Sequence, residues 1–181
     1  MQEFINFNYY KSLEMYHGHV LTIELSELEV TDSRYVLTCY RRALGIFECI
    51  FSKDDPVIFV VNTYPCDRIN PRPRTIKRYL KSEQLHRTLN CLVSKDQQEE
   101  DIIHYYLTCR WSELNYKKLL LHLCQHEIVK DVKPMDDYYI IHLEKNICVR
   151  MQDDRFVDVI FKTIEDKLNF INHFPGDKKL K

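Results

Sequence analysis

The chain has 181 residues and a mass of 22.0 kDa, and it carries only three glycines, Gly18, Gly45 and Gly176, where average usage of about 7% gives roughly a dozen. Phosphate-cradling loops need two or three glycines within about eight residues, because only a chain without Cβ lets backbone N–H groups close on a phosphate; a Walker A loop, a dinucleotide-binding turn, a kinase lid and a glycine-flanked nucleophile elbow are excluded by count. The 26 basic and 27 acidic side chains leave a net charge of −1, which excludes a global field that recruits nucleic acid or an anionic membrane, and a chain of this size buries roughly 70% of its surface around a single core.

In chain order, Val20 to Leu25 alternates, with Leu21, Ile23 and Leu25 on one side and Thr22 and Glu24 on the other, as in a half-buried strand. Thr31 or Asp32 offers an oxygen to cap a helix running to about Phe51. Its apolar stripe is Val36, Tyr40, Ala43, Phe47 and Ile50, reinforced by Leu37 and Leu44, and its wet side is Arg34, Thr38, Arg41 and Glu48. Gly45, inside this helix, has no turn to explain it and predicts close backbone approach by a neighbouring element or a partner. Asp54-Asp55-Pro56 turns the chain into Val57 to Val61, five apolar residues with no face to expose, hence a central strand.

Pro71 and Pro73 keep 70–74 irregular, and a short helix follows at about Ile76 to Leu80. Gln84 to Leu92 fits helix or strand equally. Asp96 to Asp101 holds four acids in six residues and reads as an exposed loop. Ile102 to Trp111 is a long strand with Ile103, Tyr105, Leu107, Cys109 and Trp111 facing one way. Ser112 then caps a helix to about His126 that buries Tyr116, Leu119, Leu120 and Leu123.

Three strands close the domain, Tyr138 to Leu143, Ile147 to Met151 and Phe156 to Phe161. Lys145-Asn146 and Asp153-Asp154 serve as the turns of an antiparallel meander. Thr163 with Asp166 starts the last helix as a capping box, Ile164, Leu168 and Ile171 form its buried stripe, and Pro175-Gly176 ends it. The whole chain, 1–181 with a short tail at 177–181, reads as one α+β domain: a mainly antiparallel sheet of about five to six strands packed with three main helices.

Seven cysteines, an odd number spaced at least ten residues apart, contain no C-x-x-C pair, so zinc-ribbon and thioredoxin-like sites are unsupported. No apolar run follows Met-Gln-Glu and no 18-residue apolar stretch occurs. Reduced thiols in a bacterial-type cytosol, each a small buried hydrophobe, are expected.

Three stretches together resemble a known family. They are Arg41-Arg42-Ala43-Leu44-Gly45-Ile46-Phe47-Glu48-Cys49-Ile50-Phe51 with Asp54-Asp55 and Val60-Val61-Asn62-Thr63-Tyr64; Leu107-Thr108-Cys109-Arg110 with Ser112; and Tyr138-Tyr139-Ile140-Ile141 leading to Asp153-Asp154-Arg155 and Asp158-Val159-Ile160. In order and spacing they are similar to the domain of unknown function 3885, uncharacterised proteins of low-GC Gram-positive bacteria, over about Val20 to Phe174. The resemblance implies no reaction, cofactor or catalytic residue; it implies a small accessory or immunity-type protein.

Candidate chemistry is sparse. His122 and His126 lie four apart on a helix and could share a transition metal, as could His17 and His19, but neither pair has a third ligand in sequence. No metal or other cofactor is expected. If the strands pair as drawn, His104, Arg110, His142, Arg150 and Asp158 share the face opposite the apolar one, with Tyr106 and Tyr138 among them. Such a set suits an anion, acid–base chemistry or docking of a protein, and its bland counterpart is a solvated outer face. Arg68, Arg72, Arg74, Lys77, Arg78 and Lys81 put six positive charges into fourteen residues with one ring, Tyr79; a solvated loop and helix accounts for them, and as a binding patch they favour an acidic protein over nucleic acid. None of the seven serines has a recognisable catalytic context. The expectation is a non-enzymatic cytosolic protein-binding domain, an immunity or accessory protein against an acidic partner or toxin. The alternatives are a small enzyme or metal-binding protein using the polar sheet face, and a nucleic-acid binder through 68–81.

Overall fold

Val57–Val61 has no polar face to offer water, and the strand that contains it, β2 (Pro56–Thr63), lies inside a sheet with Val57, Ile58, Phe59, Val60 and Val61 all buried. The computed structural model describes residues 19–29, 31–63, 74–95, 101–125, 137–151 and 154–174, with the side chains of 74 and 75 left aside. Within these, β1 (Val20–Glu24), β2, β3 (Asn90–Lys95), β4 (Asp101–Arg110), β5 (Asp137–His142), β6 (Ile147–Met151) and β7 (Phe156–Phe161) form one antiparallel sheet in the order β1-β7-β6-β5-β2-β4-β3. The α+β class is as expected. The strand beyond the expected six is β3, from the ambiguous Gln84 to Leu92 region: α3 (Glu83–Arg87), capped by the Ser82 hydroxyl accepting from the Leu85 N–H at 3.2 Å, gives way to a strand at Asn90.

One face of the sheet carries the main core. Helix α1 (Tyr35–Ile50) buries Tyr35, Cys39, Ala43, Ile46, Phe47 and Ile50 on it, and α4 (Tyr116–Gln125) adds Leu119, Leu120, Leu123 and Cys124. The expected stripe of α1 was therefore rotated: Ala43, Phe47 and Ile50 are in it, Val36, Tyr40 and Leu44 are half-buried, and Leu37 faces out. The apolar arc of α1 is wider than the sheet contact, and the line Tyr35–Cys39–Ile46 takes its centre. Trp111 joins the ends of α1 and α4 by stacking on Phe51 and Tyr116 at 4.5 and 4.3 Å.

Four local expectations change. The residue before α1 is Arg34 with no side-chain cap, while Asp32 accepts the Arg34 N–H at 2.8 Å and pairs with its guanidinium at 2.7 Å, which lowers the Asp32 pKa to about 2. Ser112 sits within a 3-10 turn, Trp111–Glu113, so α4 starts only at Tyr116. The short helix α2 (Arg74–Lys77) begins two residues before Ile76. Gly45 is exposed, and a Cβ there meets no atom beyond its own helix backbone within 4 Å, so no neighbouring element among the described residues approaches it.

The meander β5-β6-β7 forms as expected, with Asn146 at φ 52 in its first turn. That left-handed conformation is one that asparagine tolerates. The last helix, α5 (Ile164–His173), opens on the expected cap, the Asp166 N–H donating to Thr163 Oγ1 at 3.1 Å. Of its expected stripe, Ile171 packs half-buried against the core while Ile164 and Leu168 face solvent; Phe170 on Phe161 at 5.3 Å and Phe174 on Phe170 complete the contact. Residues 70–73, 96–100, 126, 153 and 175–176, on which other expectations fell, lie outside the described residues.

Candidate functional site

Strand register decides which side chains share a face, because a one-residue slip moves every side chain to the other side. Asn62 faces His104, Val60 faces Tyr106 and Pro56 faces Arg110 across β2–β4, while Tyr139 faces Arg150 and Arg150 faces Asp158 across β5–β6–β7. His104, Arg110, Arg150, Asp158 and Tyr106 thus share the face away from α1 and α4, as expected. His142 and Tyr138 do not: their partners are Val57 and Val61, on the helix-covered face. Tyr-Tyr-Ile-Ile is apolar on both sides and carries no alternation to fix the phase of β5.

The second face is not a solvated one. Ile58, Val60, Tyr139, Ile141, Cys148 and Ile160 form a buried apolar cluster across its middle. Polar groups flank it. Toward β1, Thr22 donates to Asp158 at 2.7 Å, and nearer the sheet centre Arg150, whose guanidinium lies 5.5 Å from the Tyr139 ring centre, pairs at 3.4 Å with Asp137, which stands opposite Asn62 across β5–β2. At the β3 end, His104 Nδ1 is 2.7 Å from Asn62 Oδ1, and His104 Nε2 is 2.6 Å from Ser94 Oγ. His104 and Asn62 are 1% and 2% exposed, and Ser94, on the edge strand, is half-buried. Arg110 sits at the exposed rim, 3.7 Å from Asp54.

On the helix face, His142 is fully buried and stacked on Phe51 at 5.6 Å. Its Nδ1 accepts the Lys145 N–H at 3.3 Å, which leaves Nε2–H to donate to Asp55 at 2.8 Å. Burial first, and then the Lys145 charge, push the His142 pKa down against the opposing pull of Asp55. Burial would raise the Asp55 pKa, but the Ser52 N–H it accepts and the His142 beside it bring it below the usual carboxylate value. Lys145 also donates to the Ile50 carbonyl, so this group ties the 52–55 turn, β5 and the end of α1 together. A surface cavity of about 240 Å³ lies beside it, lined by Ile147, Phe170 and Phe174 with Cys49 and His173.

The Asp-Asp-Arg turn that carried the family resemblance has a structural role at its second member. Asp154 is fully buried under α1, beside the Tyr35 hydroxyl and the Cys39 thiol; burial and the carboxylate both raise the Tyr35 pKa. The Arg155 carbonyl accepts the Leu25 N–H at 2.8 Å and extends the β1–β7 pairing.

The remaining candidates stay apart. His122 is half-buried with its ring edge-on to Tyr79, and its expected partner His126 lies outside the described residues, as does His17. Among the described residues no group of three His, Cys, Asp or Glu side chains converges as a metal site would require. Arg68 and Arg72 lie outside the described residues, and of Arg74 only the backbone is described. Lys77 pairs with Glu83, Arg78 lies 5.8 Å from the Tyr79 ring centre, and Lys81 donates to the Ser112 carbonyl at 2.7 Å, so local contacts engage this part of the basic run. Cys39, Cys109, Cys124 and Cys148 are buried as expected, and burial pushes the Cys109 pKa to about 12; Cys49 and Cys91 are exposed. Sequence reading missed Ser94, because β3 had no clear identity and its pairing with β4 is what brings the hydroxyl to His104.

A family model described as domain of unknown function (DUF3885) matches residues 4–176, nearly the whole chain. No curated protein and no solved structure matches it. No helix among the described residues is long and apolar enough to cross a membrane.

Proposed function

We propose, from the premise that this chain belongs to the DUF3885 family, that it is a protein-binding domain which docks its partner through helix α5. The observation that carries this is the pair Ile164 and Leu168, one turn apart on α5 and 51% and 54% exposed. The helix turns Phe170 and Phe174 to the core and spends none of its first two apolar residues there. Covering the exposed halves of two such side chains is worth on the order of 2 kcal/mol. The middle of the second sheet face is occupied by its own apolar cluster, which favours α5 over that face as the docking surface.

The six described cysteines are free thiols, which supports a cytosolic setting. In the accessory or immunity form of the reading, the partner is an enzyme whose activity falls when α5 is engaged. An acidic partner would in addition contact Arg72, Arg74 and Arg78, and a variant with all three changed to Glu tests that arm separately.

The experiment is in-cell photo-crosslinking from a reactive side chain at position 168, with exposed Gln125 on α4 as the control position. The expected result is one protein captured from 168 and not from 125, with capture lost in Ile164→Glu. Equal capture from both positions, capture unaffected by Ile164→Glu, or capture only of a second copy of this chain refutes the reading.

A further inference from the structure

We propose that Ser94, His104 and Asn62 form an acyl-transfer site that takes small uncharged esters. The three residues come from adjacent strands in the order β2-β4-β3, and the cross-strand pair Asn62–His104 sets their spacing. Asn62 presents its amide oxygen at 2.7 Å, and an oxygen of this kind only accepts, so His104 Nδ1 carries the proton. The Nε2 lone pair then faces Ser94 Oγ at 2.6 Å and takes its O–H. Hydroxyl donating to imidazole, and imidazole donating to a fixed acceptor behind it, is the arrangement that activates a serine.

Burial is graded along the relay. Asn62 and His104 are sealed while Ser94 is half-buried on the edge strand, so Ser94 is the member of the relay nearest solvent. A base held away from water at both ring nitrogens keeps its orientation without reorganisation, and an oriented base contributes about 10²–10⁴-fold. Among the described residues, the neighbours of Ser94 on the same face are Leu92 on its own strand and Ile102 opposite it on β4, both apolar. They favour an acyl group without charge.

In the reaction Ser94 Oγ forms a bond to the acyl carbon as the carbonyl π pair moves onto oxygen, and the Ser94 proton passes to His104 Nε2. The oxygen pair returns, the bond to the leaving alkoxide breaks, and the alkoxide takes the proton from His104 and departs as an alcohol. Water then attacks the acyl carbon and gives a proton to Nε2; as the carbonyl re-forms, the Ser94 Oγ–acyl bond breaks and Oγ takes that proton back from Nε2, leaving the acid and free Ser94, so ester and water become acid and alcohol. Ser94 and His104 are the catalytic residues, and Asn62 is a positioning residue. The proposal is independent of docking through α5, which lies against the other face.

The test uses the full chain with p-nitrophenyl butyrate and, separately, a fluorophosphonate that phosphonylates activated serines. The expected result is stoichiometric phosphonylation of the Ser94 peptide by mass spectrometry and ester hydrolysis that falls as the imidazole protonates on acidification. Ser94→Ala abolishes both, Asn62→Leu lowers the labelling rate at least tenfold, and Asn62→Asp, which keeps the acceptor, restores it. Circular dichroism confirms that each variant is folded. Absence of label on Ser94, labelling no faster than in urea-unfolded chain, or a rate and pH profile unmoved in folded Asn62→Leu overturns the proposal.

Discussion

Gly45 offers the cleanest test of how α1 is built. It lies in the middle of a 16-residue helix, exposed, among the exposed Arg41, Glu48 and Cys49. Its missing side chain predicts a close approach, and among the described residues there is open space: a Cβ there has no atom beyond its own helix backbone within 4 Å. With no contact to lose and no positive φ to relieve, Gly45→Ala acts only through the backbone entropy of the unfolded chain and helix propensity. That stabilises by about 0.8–1.0 kcal/mol. For a domain of this length each kcal/mol is worth roughly 2–4 °C in Tm, so the variant should melt about 2–4 °C higher. Urea denaturation followed by circular dichroism should move the midpoint upward with an unchanged slope, since the surface exposed on unfolding is the same. A lower midpoint, or a rise in Tm accompanied by a changed slope, would show that something does pack against this turn of α1.

Two further predictions follow from the titrating groups. The folded-state pKa of His142 lies below its ordinary 6.5, so on acidification the unfolded chain binds a proton that the folded one resists. Stability conferred by keeping this imidazole neutral is complete above pH 6.5 and is lost as pH falls from there toward the folded pKa; Asp55, whose pKa is lowered, adds a second loss only below its ordinary 3.8. His142→Gln should therefore flatten the fall in urea midpoint between pH 7 and pH 5, and an unchanged slope refutes the assignment. Native-state alkylation read by peptide mass spectrometry should modify Cys49 and Cys91 first, and Cys39, Cys109, Cys124 and Cys148 only on unfolding, because burial raises the pKa of Cys39, Cys109 and Cys124 and closes access to all four. Early labelling of Cys124 would contradict the packing of α4 on α1.

What the sequence made legible was set by local chemistry. The meander β5-β6-β7 and the Thr163 cap were readable because turn residues and a capping pattern act within four residues of one another. Val57–Val61 was readable because only a strand covered on both sides accepts five apolar residues in a row. His142 was placed on the wrong face because Tyr138–Ile141 is apolar throughout, and the phase of β5 comes from pairing with β2, about 80 residues earlier in the chain. Ile164 and Leu168 were taken as buried because an apolar arc announces amphipathicity without saying which part of it the sheet will use.

The doubly buried sheet also explains where function has to reside. A polar side chain on a face closed by Ile58, Val60, Tyr139, Ile141, Cys148 and Ile160 must be paired within that face, because an unsatisfied buried group costs about 1–3 kcal/mol. The pairings are Thr22 with Asp158, Arg150 with Asp137, and Ser94 and Asn62 with His104. These groups differ in what they can do. Ion pairs and a hydroxyl donated to a carboxylate hold their protons in fixed places, whereas an imidazole between a hydroxyl and an amide oxygen can pass one along. Structural pairing alone would be equally well met at position 94 by any donor of similar size, so Ser94→Cys and Ser94→Thr should leave stability nearly unchanged while phosphonylation at this position is altered in both. Equal stability with equal labelling would mean that the hydroxyl is no more reactive than any other on the surface, and the His104 relay would be a core contact and nothing more.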